Sequence, residues 1–298
     1  AQYGKLGRTA IVYGEGTLSY RDLDRRSEAF AAFLKARFPD TKAPVLLYGH
    51  KELEIPACMF GSLKAGRGYV PVDVTYPPER VAQIAAEAKP CVIADLTGTL
   101  ELPGLTLSQL REILHGPCAP ASEEEWLKPD ETAYILFTSG STGKPKGVQI
   151  TANNLAAFHA GVRPFFDGMQ PGGAFLNEIS YSFDVSVCAL YEALGRGMTL
   201  WTADRTALEN PKLLFDILKR ANLTDWVSTP SLAELCVQSD RFCGALMPQL
   251  RQMLFCGEVL TKKLTQELMA RFPGIPIVNA YGPTETTVLV TGAQMTSG

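Results

Sequence analysis

The alternation of apolar and polar positions predicts short buried strands separated by amphipathic helices. Ser19, with Asp22 three residues later, marks the start of the first helix, in which leucine and phenylalanine recur at helical spacing as far as Phe38. Apolar runs predict strands at 45–48, 91–94, 132–137, 147–150, 174–177, 198–202, 226–229, 251–255 and 276–279. Further helices are predicted at 52–65, 152–162, 185–194, 211–221, 231–238 and 261–271, and another ends near Ala88.

Strands that alternate with helices of this length imply parallel sheets covered by helices on both faces. Residues 97–130 interrupt the series, because they are rich in proline, glycine and acidic residues and include the charge run Glu123-Glu-Glu125. We expect a solvated connection between two lobes there. The sequence therefore predicts an α/β fold with two lobes of mostly parallel sheets flanked by helices, over residues 1–130 and 131–298.

Composition excludes several classes of protein. With 298 residues, of which 46% are hydrophobic, the chain is long enough to bury a large core. The net charge of −3 provides no basic surface for nucleic acid. Seven scattered cysteines without a Cys-x-x-Cys pair indicate reduced thiols, and three isolated histidines lack metal-ligand spacing. No apolar run reaches the roughly 18 residues of a membrane span, so we expect a soluble, cytoplasmic protein.

The strongest chemical signal is the stretch 134–148, in which an apolar strand opens into a loop of glycines, hydroxyls and lysines. Its glycines let backbone N–H groups face one concavity, while the hydroxyls and lysines can hold phosphate oxygens. The spacing is not that of the P-loop, which requires Gly-x4-Gly-Lys-Ser/Thr. A flexible surface loop has a similar composition, but a buried strand leading into the loop favours a polyphosphate site.

The segment Thr138-Ser-Gly-Ser-Thr-Gly-Lys-Pro-Lys-Gly147 resembles the phosphate-binding signature of the adenylate-forming enzymes. These include acyl-CoA synthetases, luciferases and amino-acid adenylation domains. The resemblance implies an ATP phosphate site formed by Thr138, Ser139, Gly140, Ser141, Thr142, Gly143 and Lys144. The segment Leu63-Lys-Ala-Gly-Arg-Gly-Tyr-Val-Pro-Val-Asp73 resembles a second signature of amino-acid adenylation domains, for which we expect a structural role.

The segment Asn279-Ala-Tyr-Gly-Pro-Thr-Glu-Thr-Thr287 resembles the adenine-binding and magnesium-binding signature of the same superfamily. By that resemblance Tyr281 stacks on adenine, Thr284 contacts the α-phosphate, and Glu285 coordinates Mg²⁺, which prefers hard oxygen ligands. Thr284 and Glu285 are thus the expected catalytic residues. The expected adenine site consists of Gly257, Glu258, Asn279, Ala280, Tyr281 and Gly282. Alone, a Tyr-Gly-Pro-Thr segment is typical of a turn.

The segment Tyr181-Ser-Phe-Asp-Val-Ser-Val187 resembles the part of amino-acid adenylation domains in which an aspartate binds the substrate's α-ammonium. Asp184 is therefore the expected amine anchor. A charge-assisted hydrogen bond of roughly 1.5–3 kcal/mol would select an amine over a plain fatty acid. The alternative is that Asp184 only caps a helix that begins near Val185.

A narrower resemblance, to the D-alanine:D-alanyl-carrier-protein ligases, extends over nearly the whole chain. It rests on residues 181–187, Thr199-Leu-Trp, Ser228-Thr-Pro-Ser-Leu-Ala-Glu234 and Leu254-Phe-Cys-Gly-Glu-Val-Leu260. The resemblance implies that Cys256 and Val288 are walls of a pocket for a small D-amino acid. An ordinary buried thiol is the alternative at Cys256. Glu178-Ile-Ser180 departs from this family, which tends to carry a proline there.

The resemblance implies two half-reactions that use ATP and Mg²⁺. The carboxylate of D-alanine or another small amino acid attacks the α-phosphorus of ATP, and the phosphopantetheine thiol of a carrier protein then attacks the aminoacyl-adenylate. The superfamily's Tyr-Arg-Thr-Gly-Asp segment, hinge and C-terminal lysine-bearing domain do not occur in residues 1–298. We therefore expect a fragment of a longer enzyme that binds ATP weakly and adenylates poorly by itself.

Other functions are open at this point. The adenylation domain of a nonribosomal peptide synthetase would activate a different amino acid, and the amino acid that drives pyrophosphate exchange would identify it. A non-catalytic nucleotide-binding module is a further alternative, for which the complete gene would lack the C-terminal domain. An acyl-CoA synthetase is disfavoured, because Asp184 would place an unpaired carboxylate against an apolar tail.

Overall fold

The computed structural model of the protein describes residues 7–139 and 145–296, with only the backbone described at Ser139. The predicted phosphate-site residues Gly140, Ser141, Thr142, Gly143 and Lys144 therefore lie outside the described residues. The described chain divides into two compact units. The first contains residues 7–9, Gly16–Ala157 and Ser180–Phe183, and the second contains Ala10–Glu15, Phe158–Ile179 and residues 184–296.

The strands and helices follow one another much as the hydrophobic pattern predicts. The strands are β1 Thr9–Tyr13, β2 Gly16–Ser19, β3 Val45–Tyr48, β4 Tyr69–Val72, β5 Val92–Asp95, β6 Thr132–Ser139, β7 Pro145–Thr151, β8 Ala174–Asn177, β9 Thr199–Thr202, β10 Asp225–Ser228, β11 Gln252–Phe255, β12 Ile277–Tyr281 and β13 Thr291–Gln294. The helices are α1 Tyr20–Arg37, α2 Ile55–Lys64, α3 Pro78–Ala88, α4 Leu107–His115, α5 Ala152–Phe166, α6 Arg205–Leu208, α7 Pro211–Ala221, α8 Pro230–Cys236 and α9 Lys262–Arg271. Within the described ranges, none of these helices has the length and apolar character needed to cross a membrane.

Cap contacts explain where several helices begin and end. The side chain of Ser19 accepts a hydrogen bond of 3.0 Å from the N–H of Asp22, which confirms the predicted start of α1. Asn210 caps α7 in the same way, with proline in the first helical turn. Gly66 follows α2 with a φ of 65°, a conformation that glycine adopts without strain.

The sheet of the first unit has the strand order β5-β3-β4-β6-β7. Its neighbouring strands are parallel except β6 and β7, which form an antiparallel hairpin. Because β6 pairs with β4, residues 131–157 belong to the first unit. This division differs from the boundary expected between residues 130 and 131. The composition of 97–130 marked a loop-rich stretch, but composition carries no information about strand pairing.

The stretch 97–130, expected to be a solvated connection, contains the helix α4. Thr106 begins it with a capping box, in which its side chain accepts from the N–H of Gln109 and the Gln109 side chain accepts from the N–H of Thr106. Leu110 and Leu114 are buried, and α4 packs against α1. The expectation was wrong because the surrounding prolines, glycines and acidic residues obscured a short leucine repeat.

In the second unit, the strands follow the order β13-β12-β11-β10-β8-β9-β1. Only β12 and β13 among these neighbours are antiparallel in the described chain. The core beside the sheet includes the buried rings of Trp226, Phe242 and Phe272, and the Phe242 centroid lies 5.4 Å and 5.0 Å from the other two. The predicted α/β fold with mostly parallel sheets flanked by helices is confirmed.

The α-helix predicted at 185–194 is not formed. The chain instead makes a π-helix over Cys188–Ala193, followed by a 3₁₀ turn over Leu194–Arg196. Glu192 on the π-helix is buried, and its carboxylate accepts hydrogen bonds of 2.9 Å from both His159 and Arg196. The prediction was wrong because apolar periodicity does not report the wider hydrogen-bond spacing of a π-helix.

Candidate functional site

The carboxyl ends of β10, β11 and β12 meet at one edge of the sheet in the second unit. Ser228 is in register with Phe255, and Phe255 with Asn279. The chain that leaves β11 carries the predicted site residues 256–258, and β12 ends with the predicted residues 279–281. Ligands of open α/β sheets bind at this edge. The fold thus brings these two predicted segments side by side.

The loop that follows Tyr281 has a constrained backbone. Thr287 and Val288 have φ values of 65° and 71°, a left-handed conformation that residues other than glycine rarely adopt. A side chain at Gly282 would collide with the Val288 carbonyl oxygen and the Leu289 Cα. Strained backbone of this kind concentrates at binding sites. The Tyr281 side chain is 67% exposed, so its ring is accessible for stacking.

Asp184 is a half-buried carboxylate that lies beside the loop of the predicted catalytic residues. It accepts hydrogen bonds from the Thr284 side chain and from the backbone N–H of Val185. Burial raises the pKa of Asp184, and the nearby Glu285 carboxylate raises it further, against the opposing effect of the hydrogen bonds. Among the described residues, no lysine, arginine or histidine forms an ion pair with Asp184.

The surroundings of Asp184 therefore favour a cationic ligand. An ammonium group next to this carboxylate would lower its pKa and supply the opposite charge that a partly buried anion needs. The alternative that Asp184 caps a helix beginning near Val185 is not what the structure shows, because the π-helix begins at Cys188, with Val187 as an N-cap that makes no side-chain cap hydrogen bond. The hydrogen bonds that Asp184 accepts leave room for an amine, since a carboxylate has about four acceptor positions.

Cys256 lies close to Asp184 and to Cys188. It is buried, and burial together with the negative charge of Asp184 raises the pKa of its thiol to about 11. Burial also raises the pKa of Cys188 well above the ordinary value, with a further contribution from Cys256. Val288, the other predicted pocket wall, is buried as well. Both thiols are therefore suited to form apolar surface and not to act as nucleophiles.

Thiol labelling should separate Cys256 from a partly exposed cysteine in the same unit. We expect iodoacetamide at pH 8 to modify Cys243 at least about tenfold faster than Cys256, because a buried thiol with a raised pKa offers little accessible thiolate. Peptide mass spectrometry over a time course gives both rates. Rapid modification of Cys256 in the folded protein would contradict a buried pocket wall, whereas equal rates after denaturation provide the control.

Gly257 and Glu258 form the turn that leaves β11. Gly257 has a φ of 90°, and its position lies against Thr229 and Val185. One carboxylate oxygen of Glu258 accepts hydrogen bonds from the backbone N–H of Ser231 at 3.0 Å and from its hydroxyl at 2.5 Å. Glu258 therefore caps the first turn of α8, where an anion is favoured. The sequence analysis did not identify Ser231 as a partner of Glu258, although its N–H lies in the first turn of α8 and so has no acceptor within the helix.

Glu285 is an exposed carboxylate in the 3₁₀ turn Thr284–Thr286. Throughout 7–139 and 145–296, no three histidine, cysteine, aspartate or glutamate side chains gather into a group that could hold a metal. Mg²⁺ is commonly bound by one or two carboxylates together with phosphate oxygens and waters. The carboxylate of Glu285 therefore has the hard oxygen donors that suit Mg²⁺ beside a phosphate-bearing ligand.

The described part of the predicted phosphate site belongs to the first unit. Thr138 and Ser139 are the last residues of β6, in register with Lys146 and Pro145 of β7. The predicted loop thus begins at the carboxyl end of a strand that is parallel to β4, as phosphate-binding loops of α/β proteins do. The remaining five predicted residues, 140–144, lie outside the described residues.

An open α/β sheet is typical of small-molecule binding proteins of the nucleotide-binding type when its carboxyl edge carries an accessible aromatic ring, a threonine hydroxyl and carboxylates with no cationic partner in the described part of the chain. The chain belongs to the AMP-binding enzyme family, whose sequence model matches residues 1–297. The resemblance inferred from the sequence motifs is confirmed at this level.

Similar proteins cover almost the whole chain. A D-alanine–D-alanyl carrier protein ligase of Bacillus cytotoxicus is 41% identical over 296 residues, and one of Bacillus cereus is 40% identical over 295 residues. Each alignment covers 97% of this chain and 58% of the relative, so the chain spans less than two thirds of the relatives' length. The narrower resemblance to this group is also confirmed.

Solved structures share the fold. The nonribosomal peptide synthetase FmoA3 bound to α-methyl-L-serine-AMP superposes with a TM-score of 0.84 at 26% identity, over 98% of this chain and 33% of that protein. Another, holo-AB3403 bound to AMP and glycine, gives 0.83 at 27% identity, over 98% and 21%. A form of FmoA3 bound to AMPPNP matches as well, with a TM-score of 0.83 at 26% identity, over 97% and 31%.

Proposed function

We propose that the protein uses ATP to activate D-alanine as an aminoacyl-adenylate and transfers the D-alanyl group to the phosphopantetheine thiol of a carrier protein. The observation that carries this proposal is the half-buried Asp184 carboxylate, which has hydrogen-bond donors but no cation beside it among the described residues. The α-ammonium of an amino acid supplies that cation. Identity of about 40% to D-alanine–D-alanyl carrier protein ligases supports D-alanine as the substrate.

In the first half-reaction, a carboxylate oxygen of D-alanine attacks the α-phosphorus of ATP, and the bond to the β-phosphate oxygen breaks to release pyrophosphate. The protein's task is to hold two anions in line and to stabilise the charge that develops on the phosphate oxygens. Asp184 binds the ammonium, which replaces the Thr284 hydroxyl as a donor to this carboxylate. The Thr284 hydroxyl, which has one proton to donate, then donates it to the α-phosphate, and Tyr281 stacks on adenine. On the sequence resemblance alone, Thr138 and the loop after it are expected to bind the terminal phosphates.

Mg²⁺, with Glu285 as its protein ligand, would neutralise phosphate charge when bound. Because Glu285 lies close enough to Asp184 to raise its pKa, a cation at either carboxylate also relieves their mutual repulsion. The amino-acid and phosphate subsites thus share one patch of negative charge.

In the second half-reaction, the phosphopantetheine thiolate attacks the carbonyl carbon of the adenylate, and AMP leaves with the electrons of the broken C–O bond. The buried cysteines near Asp184 have raised pKa values, so they do not compete as nucleophiles. All seven cysteines are free thiols, which suits the cytoplasm, where ATP and carrier proteins are available.

Activation of another amino acid is the second candidate function, because two peptide synthetases of similar structure carry α-methyl-L-serine-AMP or AMP with glycine. If Cys256 and Val288, which are both buried, form the walls expected from the sequence resemblance, they favour a small side chain and hence the D-alanine assignment. Identity to the synthetases is lower, at 26% and 27%.

ATP–pyrophosphate exchange on the full-length protein tests the proposal. With D-alanine, L-alanine, glycine, D-serine and D-valine as substrates, we expect D-alanine to give the highest kcat/KM, at least about tenfold above D-valine, because two extra methyl groups overfill a small pocket. A second assay tests the second half-reaction by measuring the transfer of radiolabelled D-alanine to a phosphopantetheinylated carrier protein. Highest exchange with a larger amino acid would instead support peptide synthesis, and no exchange with any amino acid would contradict activation.

A further inference from the structure

A buried carboxylate outside the expected site lies at the carboxyl end of β4 in the first unit. Asp73 is 3% exposed and accepts hydrogen bonds from the His50 Nδ1 at 2.8 Å, from the N–H of Thr75 at 3.0 Å and from the Ser180 hydroxyl. Burial alone would raise the pKa of Asp73, but these hydrogen bonds outweigh it and hold the pKa below its ordinary range. Asp73 is thus a constant acceptor across the physiological pH range.

The hydrogen bond from Ser180 joins residues 107 positions apart in the chain and holds the turn 180–183 within the first unit. Other contacts restrain the same turn. The N–H of Phe183 donates to the carbonyl of Ser180 at 3.0 Å, and the Ser182 and Ser180 hydroxyls are 3.0 Å apart. The Tyr181 ring is buried beneath the Lys51 ammonium, which lies 4.1 Å from its centroid.

The next residue after this turn is Asp184. A side chain that must meet a charged group at hydrogen-bond distance needs a backbone with little freedom, because ordering each mobile residue costs about 1–2 kcal/mol at the moment of binding. The turn 180–183 removes that freedom from the chain immediately before the carboxylate. The hydrogen bond from the Ser180 hydroxyl to Asp73 is one polar link between this turn and the rest of the first unit.

We propose that Ser180, held by Asp73, is a positioning residue that sets the backbone carrying Asp184 and so determines how well the substrate's ammonium is bound. This inference rests on the proposed function, since it assigns a role to the amine subsite defined there. The role is indirect, because Ser180 acts on the substrate only through Asp184.

The test compares Ser180→Ala with Ser180→Thr in the full-length protein, by ATP–pyrophosphate exchange and thermal melting. Ser180→Ala is expected to raise the KM for D-alanine about tenfold, with the KM for ATP within about twofold of wild type. Ser180→Thr retains a hydroxyl and is expected to restore most of the affinity. Thr75→Ala is the matched control, because Thr75 contacts Asp73 through its backbone N–H and not through its hydroxyl.

A second comparison asks whether Ser180 acts through Asp184. In an Asp184→Ala background, Ser180→Ala is expected to change the KM for D-alanine by less than about twofold, since coupled residues are not additive. A further large rise would show an independent effect and overturn the inference. So would an unchanged KM in the single variant, or an equal rise in the KM values for D-alanine and ATP.

Exchange by the wild-type protein tests the proposed function, and the KM values of the variants test the role of Ser180. If wild type exchanges best with another amino acid, the same KM comparison with that amino acid decides the role of Ser180. If wild type shows no exchange with any amino acid, the amine subsite and the positioning role are both contradicted.

Discussion

Replacing Asp184 with alanine should lower kcat/KM for D-alanine in pyrophosphate exchange by about 100-fold or more. The substitution removes a charge-assisted hydrogen bond of about 1.5–3 kcal/mol and leaves the substrate ammonium partly desolvated without a partner. The KM for ATP should change much less. Asp184→Asn keeps the shape but not the charge and is expected to lose nearly as much activity.

The melting temperature of the variant is the control, because it distinguishes a loss of amine binding from a loss of stability. The raised pKa means that the folded state disfavours the ionised form of Asp184, so its negative charge at pH 7 costs stability. Asp184→Ala should therefore melt at the same temperature as wild type or higher. Asp240→Ala is the matched surface change, since Asp240 is fully exposed, and it should alter neither exchange nor melting. A large drop in melting temperature for Asp184→Ala would assign this residue a structural role instead.

Adding a single methyl group at Gly282 is expected to lower kcat/KM for ATP by about 100-fold. The new Cβ would lie 2.8 Å from the Leu289 Cα and even closer to the Val288 carbonyl, and these are backbone atoms that cannot rotate away. The loop between Tyr281 and Thr284 must then shift, and a displacement of about 1 Å at a reacting site can cost about 10²-fold. Exchange measured against ATP concentration gives the effect.

The control for Gly282→Ala is a glycine with free space around it. Gly168 is in the same unit, has no neighbouring atom within 4 Å of the place a methyl group would occupy, and does not adopt a left-handed φ. Gly168→Ala should leave exchange and melting temperature unchanged. Equal behaviour of the two variants would contradict the view that the Gly282 backbone determines the geometry of the nucleotide site.

Hydrophobic periodicity was sufficient to predict most of the strands and helices, because each of them has a local signature in the sequence. Ser19 and Asn210 begin their helices as the capping rules predict, and the predicted strands have the expected order. The helix α4 was missed because it is short and surrounded by loop-forming residues. The π-helix Cys188–Ala193 was taken for an α-helix because both expose similar apolar spacing.

The candidate site was less predictable, since much of it depends on contacts between distant residues. The sequence motifs identify Asp184, Glu258 and Thr284 as candidate site residues. No local pattern predicts that the Thr284 side chain donates a hydrogen bond to Asp184 or that Ser231 donates to Glu258. The link from Ser180 to Asp73 likewise has no signature in the sequence. Such contacts become apparent only after the strands bring their ends together.

The most direct test of the account is calorimetric binding of two stable adenylate analogues to the full-length protein. One is the sulfamoyl-linked adenosine conjugate of D-alanine, and the other is the conjugate of propionic acid, which differs only by lacking the ammonium group. We predict that the D-alanine conjugate binds about 10- to 100-fold more tightly and that Asp184→Ala abolishes this difference. Equal affinity of the two conjugates for the wild-type protein would contradict the assignment of Asp184 as the amine anchor.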